Sequence, residues 1–456
     1  MRPFLSEKFF SCVVLAMICC NASAQSNVRG SSSTQPQTAE SLSINSGVRQ
    51  PSVTLSLADA EGRALKNQPR LLAEQFRAQA ADKRITESRS AYFPQAFGNL
   101  TAVEANGDTA VAAGAVTTSS VSTRAAAGAS LIQMITDFGH TSNLVQSTRL
   151  RAQAAGQNEE SIRQAVLMQV QQAYFAAQAA ESVRGTAQAV LDFRRVTLRQ
   201  LTALAQSQLR STLDVQFAQV MVSEAELAVV RAESNVQKAQ AQLAESMGEE
   251  GGATYALTDE PLPASPDADP TTYIKNAIVD RPDLKALRLQ SDSAMHEARA
   301  ERDQNFPTIN ALAAGGEVPI HDSTIHRDYG AVGVNINIPI FNGGLYTSRA
   351  AEAKLEAKAA DQDASLREVE ITRDVRMTWA DAHDAYLQID LTQRLVDQAN
   401  VAMQLAKAKY DAGLGSIVEL NQAELNQTSA LINAASARFD YLRAMAAFQF
   451  ALGDLH

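Results

Sequence analysis

Val332-Gly-Val-Asn-Ile-Asn-Ile-Pro-Ile-Phe-Asn-Gly-Gly344 ends one kind of structure and opens another. Val332, Val334, Ile336, Ile338 and Ile340 alternate with Gly333, Asn335, Asn337 and Pro339. That period of two belongs to a β-strand with one apolar face and one polar or small face. After Ile340 the chain contains no proline, and the 69 residues from Gly344 to Gly413 have helical composition. A continuous helix over that span is about 100 Å long. A strand about ten residues long is matched to a bilayer, and it runs here directly into a helix far too long for a globular core.

The same passage is written a second time. Asp137-Phe138-Gly139 ends an earlier strand-like segment 205 residues before Asn342-Gly343-Gly344. Ser207-Gln208-Leu209 and Ala412-Gly413-Leu414 match at that offset, as do Ser211 and Ser416, Asp214 and Glu419, and Gly248 and Gly453. Upstream, Phe93-Pro94 pairs with Phe306-Pro307, and Pro69 with Pro282, at an offset of 213. The change in offset falls between strand candidates, where loop length is free to vary. The chain is therefore an internal duplication, each half reading helix, strand, strand, long helix, return helix.

The return helices show how they pack. Val215, Val222, Val229, Val236 and Leu243 recur every seven residues, and Ala218, Ala225, Ala232 and Ala239 form a second series. Ala423, Ala430, Ala437, Ala444 and Ala451 do the same in the second half. This is an a/d heptad seam with alanine at one position, which lets helices approach closely. Tyr174, Phe175, Trp379 and Tyr386 are spaced as further packing residues of such seams. The remaining strand candidates are Phe97-Asn99-Thr101-Val103, the segment with Leu131 and Ile135 on one side and Ile132 and Met134 on the other, and Ile309-Ala311-Ala313. Four strands cannot close a barrel around a channel, and an open strand edge is not tolerated in lipid, so the strands must be pooled among copies.

Composition excludes several alternatives. Of the 456 residues only 5% are aromatic, which suits long helices in thin layers better than one large core. The formal charge of −10, with no basic cluster, argues against nucleic acid as a partner. Arg2 and Lys8, the apolar run from Cys12 to Cys20, and Ala22-Ser23-Ala24 make residues 1–24 an expected signal peptide, cleaved before Gln25. A lipoprotein signal fits less well, because Ile18 and Cys19 stand where a small residue should precede the cysteine. Cys12, Cys19 and Cys20 all lie in that signal, leaving no cysteine chemistry afterwards. Residues 25–50 read as a flexible N-terminal extension, 51–248 as the first repeat, 249–270, with Pro261, Pro263, Pro266 and Pro270, as a linker, and 271–456 as the second repeat.

Phe306-Pro307, Arg281-Pro282-Asp283-Leu284, 337–344 and Ala412-Gly-Leu-Gly-Ser-Ile-Val-Glu419, in this order and duplicated, resemble the outer-membrane efflux (TolC-like) family from about Leu55 to Gly453. The resemblance implies a mainly α fold with transmembrane β: a trimeric twelve-stranded outer-membrane β-barrel, four strands per chain, continued by a twelve-helix periplasmic α-barrel. It implies a passive exit duct of a tripartite efflux pump or type I secretion system rather than an enzyme. The expected partners are a homotrimer, a periplasmic adaptor (membrane-fusion) protein, an inner-membrane transporter and outer-membrane lipid, and no cofactor is expected.

By the same resemblance, Ser207, Gln208 and Leu209 and Ala412, Gly413 and Leu414 are the adaptor-docking turns, of which the first departs by carrying Gln208 in place of glycine. The family narrows its entrance with acids just before the second turn. Here 404–410 contains Lys407 and Lys409 and no acid, leaving Asp411 as the candidate for an entrance ring, with Asp397 four turns earlier. His321, Asp322, His326 and Asp328 could suggest a metal site but fall between two strands, where a solvated loop is expected. Neither a phosphate-cradling glycine loop nor a nucleophile with its base is present. A periplasmic adaptor would show one helical hairpin between all-β domains, a plain coiled coil would need no strand at 332–340, and an envelope enzyme would need a site.

Overall fold

The computed structural model describes residues 53–104, 109–113, 116–121, 124–250, 254–320 and 326–455. The expected signal peptide (1–24) and extension (25–50), and His321 and Asp322, lie outside the described residues. The first repeat holds β1 (Val53–Leu55), α1 (Leu57–Asn67), α2 (Pro69–Arg89), β2 (Gln95–Val103), β3 (Thr109–Ala113), β4 (Val116–Val121), β5 (Arg124–Thr136), α3 (His140–Gln206) and α4 (Thr212–Ser246). β6 (Tyr255–Leu257) lies in the linker, and the second repeat holds α5 (Thr271–Asp280), α6 (Pro282–Asp303), β7 (Thr308–Ile320), β8 (Asp328–Asn337), α7 (Leu345–Asp411) and α8 (Ile417–Leu452).

Four strands make one open antiparallel sheet in the order β2-β5-β7-β8. Its register places Ile309 opposite Ile336, Ala311 opposite Val334, and Ala313 between Val332 and Leu131. These side chains share one apolar face, while Asn310 and Asn335 pair on the other. Every residue of β8 is exposed in the single chain, Val332 to 90%. The strand stops at Asn337, so Ile338 and Ile340 fall beyond the expected alternation. Pro339 lacks the N–H that the ladder would need next. The longer β2–β5 connection holds a small hairpin of its own, β3 with β4.

Both long helices, α3 and α7, run for 67 residues, about 100 Å. Each folds back on a return helix along the predicted seam: Ala218, Val222, Ala225, Val229 and Ala232 are buried on α4, and Ala430, Ala437 and Ala451 on α8. Near the sheet the helices lie in the order α2-α3-α6-α7, the order of the strands each continues; farther away the order is α4-α3-α8-α7. So α2 stands end to end with α4, and α6 with α8.

Those two junctions are built alike. Gln68, preceding Pro69, donates through Nε2 to the carbonyls of Glu245 and Ser246 at the end of α4. Arg281, preceding Pro282, donates through Nη1 to Ala451 at the end of α8, the repeat equivalent of Ser246. In each case a side chain satisfies a carbonyl left open by a helix C-terminus. Gly248 and Gly453 turn away in the left-handed region, with φ of 72° and 78°, and a Cβ there would press on the backbone of Asn67–Gln68 or Arg281. Arg281 also holds Asp283, which Arg367 of α7 grips from the other side at 2.8 Å. Burial pushes the Asp283 carboxyl up, but the two guanidiniums more than offset this and hold it below its usual range.

The linker crosses the helix layer as a belt. Tyr174 and Gln178 of α3 donate to the carbonyl of Thr258 at 2.8 and 2.6 Å. Arg438 of α8 reaches Glu260, Tyr441 reaches Ala264 at 2.8 Å, and Trp379 of α7 reaches Asp267 at 2.8 Å. Tyr174 and Trp379, expected in seams, therefore hold the belt, because their polar ends need buried acceptors that a helical seam lacks. Phe175 packs edge-on to Tyr174, and Tyr386 against Tyr441. Between α3 and α8, Arg194 and Glu424 form an ion pair, both side chains 5% exposed.

Replacing Arg281 with Met is expected to cost about 3 kcal/mol, because Asp283 and a helix end lose a buried charged partner. Gln68→Leu, which removes neutral hydrogen bonds, is expected to cost about 1 kcal/mol. Denaturant unfolding of the two variants measures the difference.

Candidate functional site at the hairpin tips

The far ends of the two helical hairpins bring together the residues singled out in the sequence. Both turns share two closing hydrogen bonds, to which the second adds one from the amide of Gly415 to Lys409 O. The amide of Gln208 donates to Ala205 O and that of Leu209 to Leu204 O, at 3.0 and 2.9 Å; those of Gly413 and Leu414 donate to Tyr410 O and Lys409 O at the same two distances. This pairing closes a helix whose next residue is left-handed. Gly413 takes φ of 72° at no steric cost, but Gln208 takes 57°. The first turn departs in residue identity, yet its backbone keeps the same left-handed conformation and the same two closing hydrogen bonds. Holding a residue with a Cβ there costs about 1 kcal/mol.

Each return helix starts on a serine cap. Ser211 accepts from the amide of Leu213, and Ser416 from that of Glu419, which satisfies amides open at a helix start. Ser207 bonds back to Ala203 O at 3.0 Å. Leu209 and Leu414 project outward, 71% and 83% exposed, with Ala412 and Gly413 exposed beside them. A Cβ built on Gly413 meets no atom within 4 Å.

A clasp absent from the sequence reading locks the two tips together. The Tyr410 hydroxyl of α7 donates to Asp214 Oδ2 of α4 at 2.7 Å, inside a cluster of Leu201, Ala218, Ala406, Ile417 and Leu420. Arg210 stacks its guanidinium 4.1 Å from the Tyr410 ring centre and donates to the carbonyls of Tyr410 and Asp411 at 2.6 and 3.3 Å. Burial first, and the Asp214 carboxylate next, push the Tyr410 hydroxyl up to about 12. Tyr410 and Arg210 occupy places where the repeats disagree, opposite Ala205 and Gly415, and that disagreement is the signal that could have found them.

The entrance candidates are dispersed. Asp411 is exposed, and Arg210 donates to its backbone carbonyl. Lys409 pairs with Glu419 at 3.2 Å, and Lys407 stands 6.0 Å from the Phe193 ring centre. Asp397 accepts from Gln393 one turn away at 3.3 Å.

Comparison with known proteins places this architecture. The profile of the family described as "Outer membrane efflux protein" matches residues 62–249 and 273–454. The outer membrane protein TolC of Vibrio cholerae is 25% identical over 426 residues, covering 88% of this chain and 91% of that protein. The alkaline protease secretion protein AprF of Pseudomonas aeruginosa is 28% identical over 198 residues, a match that spans 42% of this chain and 40% of that protein. Among solved structures, the outer-membrane channel OprN superposes with a TM-score of 0.76 at 20% identity, covering 87% of this chain and 89% of that one.

The Tyr410 hydroxyl titrates higher in the folded state than in the unfolded chain, where it is near 10. Its contribution is thus complete below pH 10 and lost as pH rises toward 12. Thermal unfolding should show an alkaline loss over that window which Tyr410→Phe abolishes; parallel curves would contradict the clasp. Gln208→Gly should raise stability by about 1 kcal/mol by relieving the left-handed Cβ, read in the same unfolding assay.

Proposed function

The chain belongs to the outer membrane efflux protein family, and on that premise we propose that three copies close a twelve-stranded barrel over a twelve-helix periplasmic tunnel. The protein is an outer-membrane exit duct. It moves cargo passively, under the drive of an inner-membrane transporter coupled through a periplasmic adaptor that docks on Leu209, Leu414 and their neighbours.

The observation that carries this reading is the pair of unsatisfied sides on one protomer. The outer edges of β2 and β8 have no strand partner among the described residues. An open edge of this length is excluded from hydrocarbon, so β8 of one copy pairs with β2 of the next. The helices below are unfinished on the same two sides. Leu213, Val220 and Leu227, seven residues apart, leave an apolar stripe on α4 facing away from α3. Leu387 and Val401, with Leu391 and Leu405, leave another on α7 facing away from α8. Joining copies edge to edge covers the strand edges and both stripes together. Val332, Val334, Ile336 and Ile309 then face lipid, and Asn310, Asn335 and Asn337 face the lumen.

Docking is tested by photo-crosslinking from position 414 in living cells, followed by mass spectrometry. Capture of a periplasmic adaptor is expected; assembled, membrane-inserted protein that captures none would contradict the docking role. Because Gly413 faces open space, Gly413→Trp should abolish transport by more than tenfold while leaving assembly intact. Unchanged transport in that variant would remove the second turn from the interface.

A further inference from the structure

We propose that Tyr329 sets the width of the duct's outer mouth, and that Gly128 and Gly316 form the recess holding its ring against the wall; the inference rests on the exit-duct reading above. Strand register puts Tyr329 of β8 opposite Gly316 of β7, and Gly316 opposite Gly128 of β5. Directly opposite residues share a face of the sheet, as do residues an even number apart on one strand. Tyr329 therefore lies on the face of Asn335, and Gly316 on that of Asn310. That face turns to the lumen when copies close into a barrel. Tyr329 is the second residue of β8, about 27 Å along the strand from Asn337 at its helix end. It stands at the outer rim.

The ring lies along the wall instead of standing away from it. A Cβ built on Gly316 would come within 2.9 Å of Tyr329 Oη, and one on Gly128 would run into that oxygen and lie 3.3 Å from Cζ. The side chain thus crosses β7 and ends over β5, two strands from its own backbone. Glycine inside a strand marks a place where something approaches the backbone closely, and here the tyrosine ring does so. Its other face stays open, and the residue is 48% exposed. Ser130, Ala314, Ala331 and Gly333, the next residues on that face, are all small. Tyr329 is the one large side chain among them.

Barrel size is what makes one side chain matter. A barrel of about eight strands has an interior that side chains fill, and one of about sixteen leaves an aqueous channel. Twelve strands lie between, so the bulk of inward side chains decides how wide the passage is. Three tyrosines laid against a wall of small residues leave the mouth wide, whereas three standing up from it narrow it. Gly128 decides between the two arrangements. A methyl there meets the hydroxyl end of Tyr329, a side chain free to lift, and otherwise only Gly315 O at 3.2 Å. A methyl on Gly316 would instead press on backbone, on Ala127 O and on Gly128 Cα at 2.7 Å, and so deform the sheet.

The test is thiol labelling from outside intact cells that carry the full-length protein. Cys12, Cys19 and Cys20 all lie in the expected signal peptide, so Asn310→Cys, deep in the lumen, supplies the one thiol to label. Maleimides on polyethylene glycol chains of graded length are added outside. With the longest chain that still labels Asn310→Cys alone, adding Gly128→Ala should slow labelling at least fivefold. Adding Tyr329→Ala to that variant should restore the rate, and Tyr329→Ala without Gly128→Ala should label no more slowly than Asn310→Cys alone. A small charged maleimide should label all four proteins within twofold of one another. An unchanged rate with Gly128→Ala, a slowing that persists once Tyr329 is replaced, or a slowing shared by the small maleimide would overturn the proposal. Val334→Cys, on the opposite face, separates the two levels of inference. If the small maleimide labels it as fast as Asn310→Cys, the lumen assignment fails and the duct reading with it. Labelling confined to Asn310→Cys but indifferent to Gly128→Ala overturns only the role of Tyr329.

Discussion

A backbone amide or carbonyl left without a partner in hydrocarbon costs several kcal/mol, and a ten-residue strand edge exposes a row of them. In this chain β2 and β8 each present such an edge, and the sheet's four strands are too few to curl shut. Most of the remaining architecture answers that constraint. Each strand joins a helix in the same lateral order, so the spacing of the strands is carried through the helix layer. In the assembly proposed above, the exposed apolar stripes on the helices at the two sides and the exposed edges of the outer strands are halves of one interface.

Carrying a sheet's order into helices about 100 Å long requires devices that hold the layer in register, and the duplication supplies them in pairs. Gln68 and Arg281 fasten equivalent end-to-end junctions, the second with a charged network through Asp283 and Arg367 that the first lacks. The belt from Thr258 to Asp267 ties α3, α8 and α7 together at mid-length through Tyr174, Tyr441 and Trp379. Arg194 and Glu424 add a buried charged contact between the hairpins, whose worth lies more in fixing which residues meet than in net stability. At the tips the Tyr410–Asp214 clasp sits behind the exposed leucines, so whatever engages those leucines acts on elements held together by that hydrogen bond, by Arg210 stacked on Tyr410 and bonded to two carbonyls, and by the apolar cluster around them.

Much of this is legible in the sequence. Absence of proline and the heptads of valine and alanine gave the long helices to within two residues, because a seam repeats a local rule many times. Alternation from Val332 to Asn337 marks β8 and its apolar face; the pattern runs on through Ile340, but Pro339 cannot donate to a ladder and the strand ends at Asn337. The roles of Tyr174 and Trp379 were not legible, since a large aromatic at helical spacing looks the same whether its polar end meets a belt or its ring fills a seam. The clasp was missed because Arg210, Asp214 and Tyr410 lie on different hairpins, nearly 200 residues apart in sequence, and each alone looks like an ordinary helix-end residue. Gln208 departs from glycine in identity, and the sequence does not reveal that its φ of 57° keeps the left-handed conformation.

The most direct measurement of the central claim is covalent capture of the strand edges. With the cysteines outside 12–20 absent, a single engineered cysteine on β2 and another on β8 can be oxidised in isolated outer membranes and the products separated under denaturing conditions. Pooling of edges among three copies predicts linked dimers and trimers, with the ladder ending in a closed trimer that resists unfolding. Monomers alone, or a ladder that continues past three, would contradict it.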